Sequence, residues 1–94
     1  MMKGYLLTVQ LFRCDTEQEA EVILSGLEDE EEAKKYIKLI TNVLIDAKNF
    51  PDGEVRWDYQ VSRMVDGEEE YVSSDAMMTR IENGKIIFDL EGLE

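Results

Sequence analysis

Of 94 residues, 22 are Asp or Glu against 10 Lys or Arg, with no histidine, so the formal charge is −12. Hydrophobic residues make up 44%, too many for a disordered acidic tail, and the length suits a single α+β domain, residues 1–94, with a thin core. Ten cations among 22 anions cannot form the positive stripe of a protein that binds nucleic acid directly, and docking on an anionic membrane is disfavoured on the same ground.

The first ten residues, Met-Met-Lys-Gly-Tyr-Leu-Leu-Thr-Val-Gln, hold an apolar run too short for a signal peptide, interrupted at Thr8 and Gln10. No segment approaches the roughly 20 apolar residues of a membrane span. From Tyr5 to Arg13, Tyr5, Leu7, Val9 and Leu11 alternate with Leu6, Thr8, Gln10 and Phe12. That period of two, apolar enough on its second face, predicts a central strand. Asp15-Thr16-Glu17-Gln18 is a polar break. Residues 19–27 then allow two readings. As a strand they return antiparallel to the first; as a helix they are capped by Asp15, with Gln18 at the capping-box position. The strand is favoured, because Ser25-Gly26 weakens a helix end and a fresh helix start follows at once.

Asp29 opens the predicted helix. Glu30, Glu31 and Glu32 complement the positive end of its dipole. Ala33, Tyr36, Ile37, Ile40, Val43, Leu44 and Ala47 form one apolar stripe roughly 120° wide. Leu39 and Ile45 flank that stripe on either side. Lys34, Lys35 and Lys38 follow the glutamates at ion-pairing spacings. The helix is expected to end near Lys48, before the turn chemistry of Phe50-Pro51-Asp52-Gly53.

The remainder reads as an antiparallel meander. Val55, Trp57, Tyr59 and Val61 alternate with polar residues, and Asp66-Gly67 and Asn83-Gly84 are favoured two-residue hairpin turns. The first turn sets Val61 against Val72 and Arg63 against Glu70; the second sets Ile81 against Ile86, Thr79 against Phe88 and Met77 against Leu90. A bulge or bend is expected at Ser73-Ser74-Asp75, where the alternation shifts. The predicted architecture is β-β-α-β-β-β, an antiparallel sheet of about five strands with one main helix on one face.

Residue types argue against catalysis. Without histidine there is no imidazole base and no Ser-His or Cys-His pair. Cys14 is the lone cysteine, so it forms no intramolecular disulfide and no zinc site, and a lone thiol suits a reducing, cytoplasmic setting. Its anionic neighbour Asp15 blunts it as a nucleophile, and it reads as a half-buried small residue. Phosphate-cradling glycine loops are absent. Asp66, Glu68, Glu69 and Glu70 crowd one hairpin but lack the ligand spacing of a helix-loop-helix calcium site. No metal, cofactor or enzymatic activity is expected.

The charge pattern remains. Acidic clusters fall at 15–21, 28–32, 66–70 and 89–94. Helix starts and turns attract carboxylates, yet solubility of a small domain needs a net charge of only roughly 2–8. The excess destabilises by self-repulsion, which points to a basic protein partner, one that binds nucleic acid. Carboxylates recur at roughly 6.6–6.8 Å on one face of a strand, and duplex DNA offers a charge per roughly 1.7 Å of its axis. A compact domain with several acidic rows could therefore occupy a DNA-binding groove. In size and composition alone the chain is similar to DNA-mimicking inhibitors, many of them phage-encoded; no motif carries that likeness. The expected contacts are Glu28, Asp29, Glu30, Glu31, Glu32, Asp66, Glu68, Glu69 and Glu70, with Met78 as an apolar anchor beside Met77. Trp57 and Tyr59 are expected in the core. Alternatives are an immunity-type protein that blocks a cognate toxin, and a small accessory subunit whose acidity is incidental. Open edge strands and the Leu39/Ile45 flank also invite a homodimer.

Overall fold

A computed structural model of the chain describes residues 4–88. The elements are β1 (Gly4–Arg13), β2 (Gln18–Leu27), α1 (Glu30–Lys35), α2 (Ile37–Ala47), β3 (Gly53–Val65), β4 (Glu68–Glu82) and β5 (Lys85–Ile87). All neighbouring strands are antiparallel, in the order β2-β1-β3-β4-β5. Residues 19–27 are thus a strand, and β1 is central, as its apolar content on both faces requires. No helix among the described residues is long and apolar enough to cross a membrane.

The core lies between one sheet face and the helices. Leu7, Val9 and Leu11 of β1 sit beside Val61, Tyr59 and Trp57 of β3, and Ala33, Ile37, Leu44 and Ile45 close over them. Trp57 is fully buried. Its ring meets Phe88 edge-on at 4.9 Å between centroids and Tyr59 at 5.4 Å.

Asp29 caps α1 as expected, its Oδ1 accepting the Glu32 amide at 2.8 Å. The helix is not continuous, however. Tyr36 adopts φ −93° and ψ −5°, its amide donates to the Ala33 carbonyl three residues back at 3.1 Å, and α2 starts afresh at Ile37. This break shifts the buried line to Ile37, Thr41, Leu44 and Ile45. Tyr36, Val43 and Ala47, expected in the stripe, are exposed, and Ile45, expected on the flank, is buried. Thr41 tolerates burial because its hydroxyl donates to the Ile37 carbonyl (2.7 Å) and accepts Trp57 Nε1–H (3.0 Å).

Asp66-Gly67 and Asn83-Gly84 form the two tight turns, with φ positive at all four residues (52°, 81°, 53° and 78°), the type I′ geometry that matches strand twist. Arg63 faces Glu70 and Ile81 faces Ile86 as the turns dictate. Val61 instead faces Ser73: the register shifts between Val61 and Ser62, leaving Val72 as the extra residue of a bulge. The irregularity therefore falls just before Ser73-Ser74-Asp75, which stay inside β4. The ladder of β5 ends at Ile87, short of a Thr79–Phe88 pair. The Met77–Leu90 pair and the 89–94 cluster lie outside the described residues.

Arg13 ties the far end of the sheet together. Its guanidinium grips Asp15 through two bonds (3.1 and 2.7 Å) and donates to the Pro51 and Asp52 carbonyls at 2.7 and 2.9 Å. Cys14, expected half-buried, lies exposed in the turn beside this pair, because its side chain leaves the ladder where β1 ends.

Candidate acidic interface

The two central acidic runs are 34 residues apart in sequence at their nearest (from Glu32 to Asp66), and the fold ties the first of them to β4, the strand that begins within the second. Glu30 in the first turn of α1 accepts a hydrogen bond from Ser73 Oγ of β4 at 2.7 Å. Ser73 faces Val61, and two residues further along β3, on the same face, Arg63 faces Glu70. A same-face step is about 6.8 Å, so Glu70 stands about one step, and Glu68 about two steps, along the sheet from the Ser73 that Glu30 touches. Pairing parity puts Glu68 and Glu70 on this helix-bearing face, with Asp75 next to Ser73.

Glu69 turns to the opposite face, where Ser62 Oγ donates to it at 2.8 Å. Asp66 sits in the hairpin turn, and Glu28, Asp29 and Glu31 are exposed. Met78 is 59% exposed but pairs with Arg56, eight residues and roughly 26 Å along β4 from Glu70. It borders a depression of about 310 Å3 with Cys14, Asp15 and Glu54, so the fold does not bring it to the acidic runs.

The charges at this end are weakly compensated. Arg63 Nε lies 2.9 Å from Glu70 Oε1, and Lys34 Nζ lies 3.4 Å from Glu30 Oε2, both exposed pairs of small energetic weight. The hydrogen bond from Ser73, aided by Lys34, holds the Glu30 carboxyl below its ordinary range. Glu30 is therefore anionic at neutral pH. A carboxylate held ionised on an open surface can accept hydrogen bonds from guanidinium or ammonium groups. It is poorly placed for general acid catalysis, which needs a raised carboxyl.

A second acidic surface escaped sequence reasoning. On the sheet face opposite the helices, Glu21, Gln10 and Asp58 form one cross-strand row, and Glu19, Phe12 and Arg56 the next. Gln10 Nε2 donates to Glu21. The rows line an open depression of about 460 Å3. Burial pushes the Asp58 carboxyl up, Arg56 opposes and Glu21 adds to the rise. This row exists because β3 returns to the free side of β1, a strand order that alternation alone does not specify. Among the described residues, no three His, Cys, Asp or Glu side chains gather to hold a metal ion.

The class of molecule defined so far is an acidic α+β domain with a five-stranded antiparallel sheet. No protein-family model and no curated protein matches the chain, and no solved structure matches it either.

Proposed function

We propose that the protein is a non-catalytic, acidic binding protein that occupies the basic nucleic-acid-binding surface of a partner protein, acting as an inhibitor by mimicking nucleic-acid charge. The observation that supports this reading is the Glu30–Ser73 hydrogen bond, which brings the first acidic run onto β4 about one same-face step from Glu70. Charges concentrated at one end of a domain steer a basic partner more effectively than the same charges dispersed. The hairpin carrying Asp66–Glu70 lies two strands from the β2 edge, so self-association through that edge would leave it accessible.

The test is capture of partners from a cell lysate at low and high salt, with and without competing duplex DNA. Nucleic-acid-binding proteins should be retained at low salt, released by high salt and displaced by DNA. Reversing Glu28, Glu31, Glu68 and Glu70 to lysine should abolish capture while leaving the circular dichroism spectrum unchanged. Capture that survives these four changes would sink the proposal. A single partner that DNA cannot displace would favour the toxin-neutralising alternative.

A further inference from the structure

β2 is an outer strand that pairs only with β1 among the described residues. Its ladder is regular from Gln18 to Leu24, without Pro or Gly, and loses register beyond that, between Tyr5 and Leu7 of β1. Gly26 then takes a positive φ of 78°, so the straight edge is Gln18–Leu24. Outer strands present unpaired backbone donors and acceptors, which proteins usually blunt. The far side of the sheet ends in β5, which has only three residues.

The two faces of this edge differ in chemistry. Ala20, Val22 and Leu24 face the helices and are half-buried. Asn42 Oδ1 accepts the Ile86 amide at 2.9 Å, turning that side of α2 towards β5. At about 100° per residue, Ile40 and Val43 lie on the other side of the buried Ile37–Thr41–Leu44 line, above the β2 margin, and Val43 is 51% exposed. On the opposite face Glu19, Glu21 and Ile23 are exposed. β1 supplies these carboxylates with no cation: Glu19 faces Phe12, and Glu21 faces Gln10, whose Nε2 donates to it. Arg56 lies beyond Phe12 in the same row, two strand spacings or about 10 Å from Glu19. Neither glutamate has a salt-bridge partner among the described residues.

We propose that β2 takes up, antiparallel along Gln18–Leu24, an extended segment of a partner protein in which basic and apolar residues alternate. Its Lys or Arg side chains face Glu19 and Glu21, one same-face step of about 6.8 Å apart. Its apolar side chains face Ala20 and Val22 and lie beneath Ile40 and Val43. Main-chain hydrogen bonds complete the edge, and opposite charges directly across a strand pair stabilise it. The glutamates also choose between occupants. A second copy of β2 would set one glutamate-bearing edge beside another in two chains of −12, and a wholly apolar strand would leave both carboxylates without a cation. The field of the whole chain steers a basic segment towards it. β1 and β3 separate this edge from β4, and the proposal stands whether or not the protein mimics nucleic-acid charge.

The test uses the fluorescein-labelled peptide Ser-Val-Thr-Val-Arg-Val-Arg-Ser, which in antiparallel register sets its arginines opposite Glu21 and Glu19. Two controls keep its charge: one replaces the valine between the arginines with proline, and one scrambles the alternation. Fluorescence anisotropy in about 0.15 M NaCl should show saturable binding at least roughly tenfold tighter than either control. Amide hydrogen exchange should slow within residues 18–24. Glu19→Lys with Glu21→Lys should raise the Kd at least roughly tenfold, and Val43→Lys at least roughly threefold, with folding confirmed by circular dichroism. Glu31→Lys with Glu68→Lys makes the same change in net charge away from β2 and should leave the Kd within roughly threefold. That pair belongs to the surface proposed for charge mimicry, so the two readings fail independently. No saturation by about 1 mM peptide overturns the proposal, as does equal binding by either control. So does protection confined to the 66–70 hairpin, or equal weakening by the two double lysine variants.

Discussion

Thr41 and Trp57 show how one polar contact can decide a core. The indole N–H is fully enclosed, and the Thr41 hydroxyl is its partner at 3.0 Å. Thr41→Val keeps the shape but leaves that donor unpaired, at a cost of about 1–3 kcal/mol. Trp57→Phe in the Thr41→Val background should recover the part of this loss that is due to the orphaned N–H, against the packing lost with the indole. A double-mutant cycle in urea separates the two contributions. Titration behaves in the same local way, with opposite signs at different residues. Asp15, Glu30 and Asp52 have carboxyls held low, by Arg13, by Ser73, and by the Gly84 and Asn83 amides respectively. Their contributions are present at neutral pH and are lost as pH falls through the folded-state values. Asp58 is raised, chiefly by burial, so the native state binds its proton more tightly and stability declines as pH rises through its titration. Asp58→Asn should therefore raise the melting temperature at pH 7 and leave it nearly unchanged near pH 3, a difference that calorimetry at the two pH values would read. A rise of equal size at both pH values would count against this account.

At the level of elements, the helices mark where sequence and structure part. The other strands and both hairpin turns were legible, because alternation and Asp-Gly or Asn-Gly turns are local properties of the chain, whereas residues 19–27 also fitted a helix capped by Asp15 and are settled as a strand only by pairing with β1. The cap at Asp29 was legible for the same reason. The break at Tyr36 was not, since nothing in the periodicity of residues 30–47 marks an interruption; it depends on where the sheet can accept a helix. Its consequence is a rotated buried face that places Thr41, a polar residue, in the core and leaves Val43 outside. Ile45 and Leu39, equivalent as flanks of the predicted stripe, are 2% and 58% exposed. Ile45→Ala should thus cost about 2–5 kcal/mol by opening a cavity, whereas Leu39→Ala should stay within about 0.5 kcal/mol. Equal losses in chemical denaturation would mean that the helix phase is wrong. The acidic site divides along the same line. The two runs were plain in the sequence, but their meeting depends on a long-range contact between Glu30 and Ser73. Met78 was placed with them only because strand alternation says which residues are exposed and not how far apart they lie.

For the whole molecule, the −12 charge works against the fold that displays it. Glu28, Glu31 and Glu68 have no salt-bridge partner among the described residues, and they belong to the two acidic runs, the first of which Glu30 ties to β4 through Ser73. If that concentration serves binding, stability is sacrificed for it, as at other functional surfaces. Screening should return the loss. Raising NaCl from about 0.02 to 0.3 M shortens the Debye length from roughly 20 Å to under 10 Å. A gain on the order of 1 kcal/mol from relieved repulsion would raise the melting temperature by about 4–8 °C for a domain of this size. Neutralising Glu28, Glu31 and Glu68 to glutamine removes charge without adding cations. At low salt this variant should melt higher than the natural sequence, and its response to NaCl should shrink, because the charges being screened are the ones removed. Neutralising three exposed glutamates elsewhere that likewise lack a salt-bridge partner among the described residues, Glu17, Glu19 and Glu54, changes net charge by the same amount and serves as the comparison. A larger effect at the α1 and hairpin positions would show that repulsion is concentrated where the two runs meet. Equal effects from the two sets would mean that the field is diffuse, and the convergence of Glu28–Glu32 with Glu68 and Glu70 would lose its energetic meaning.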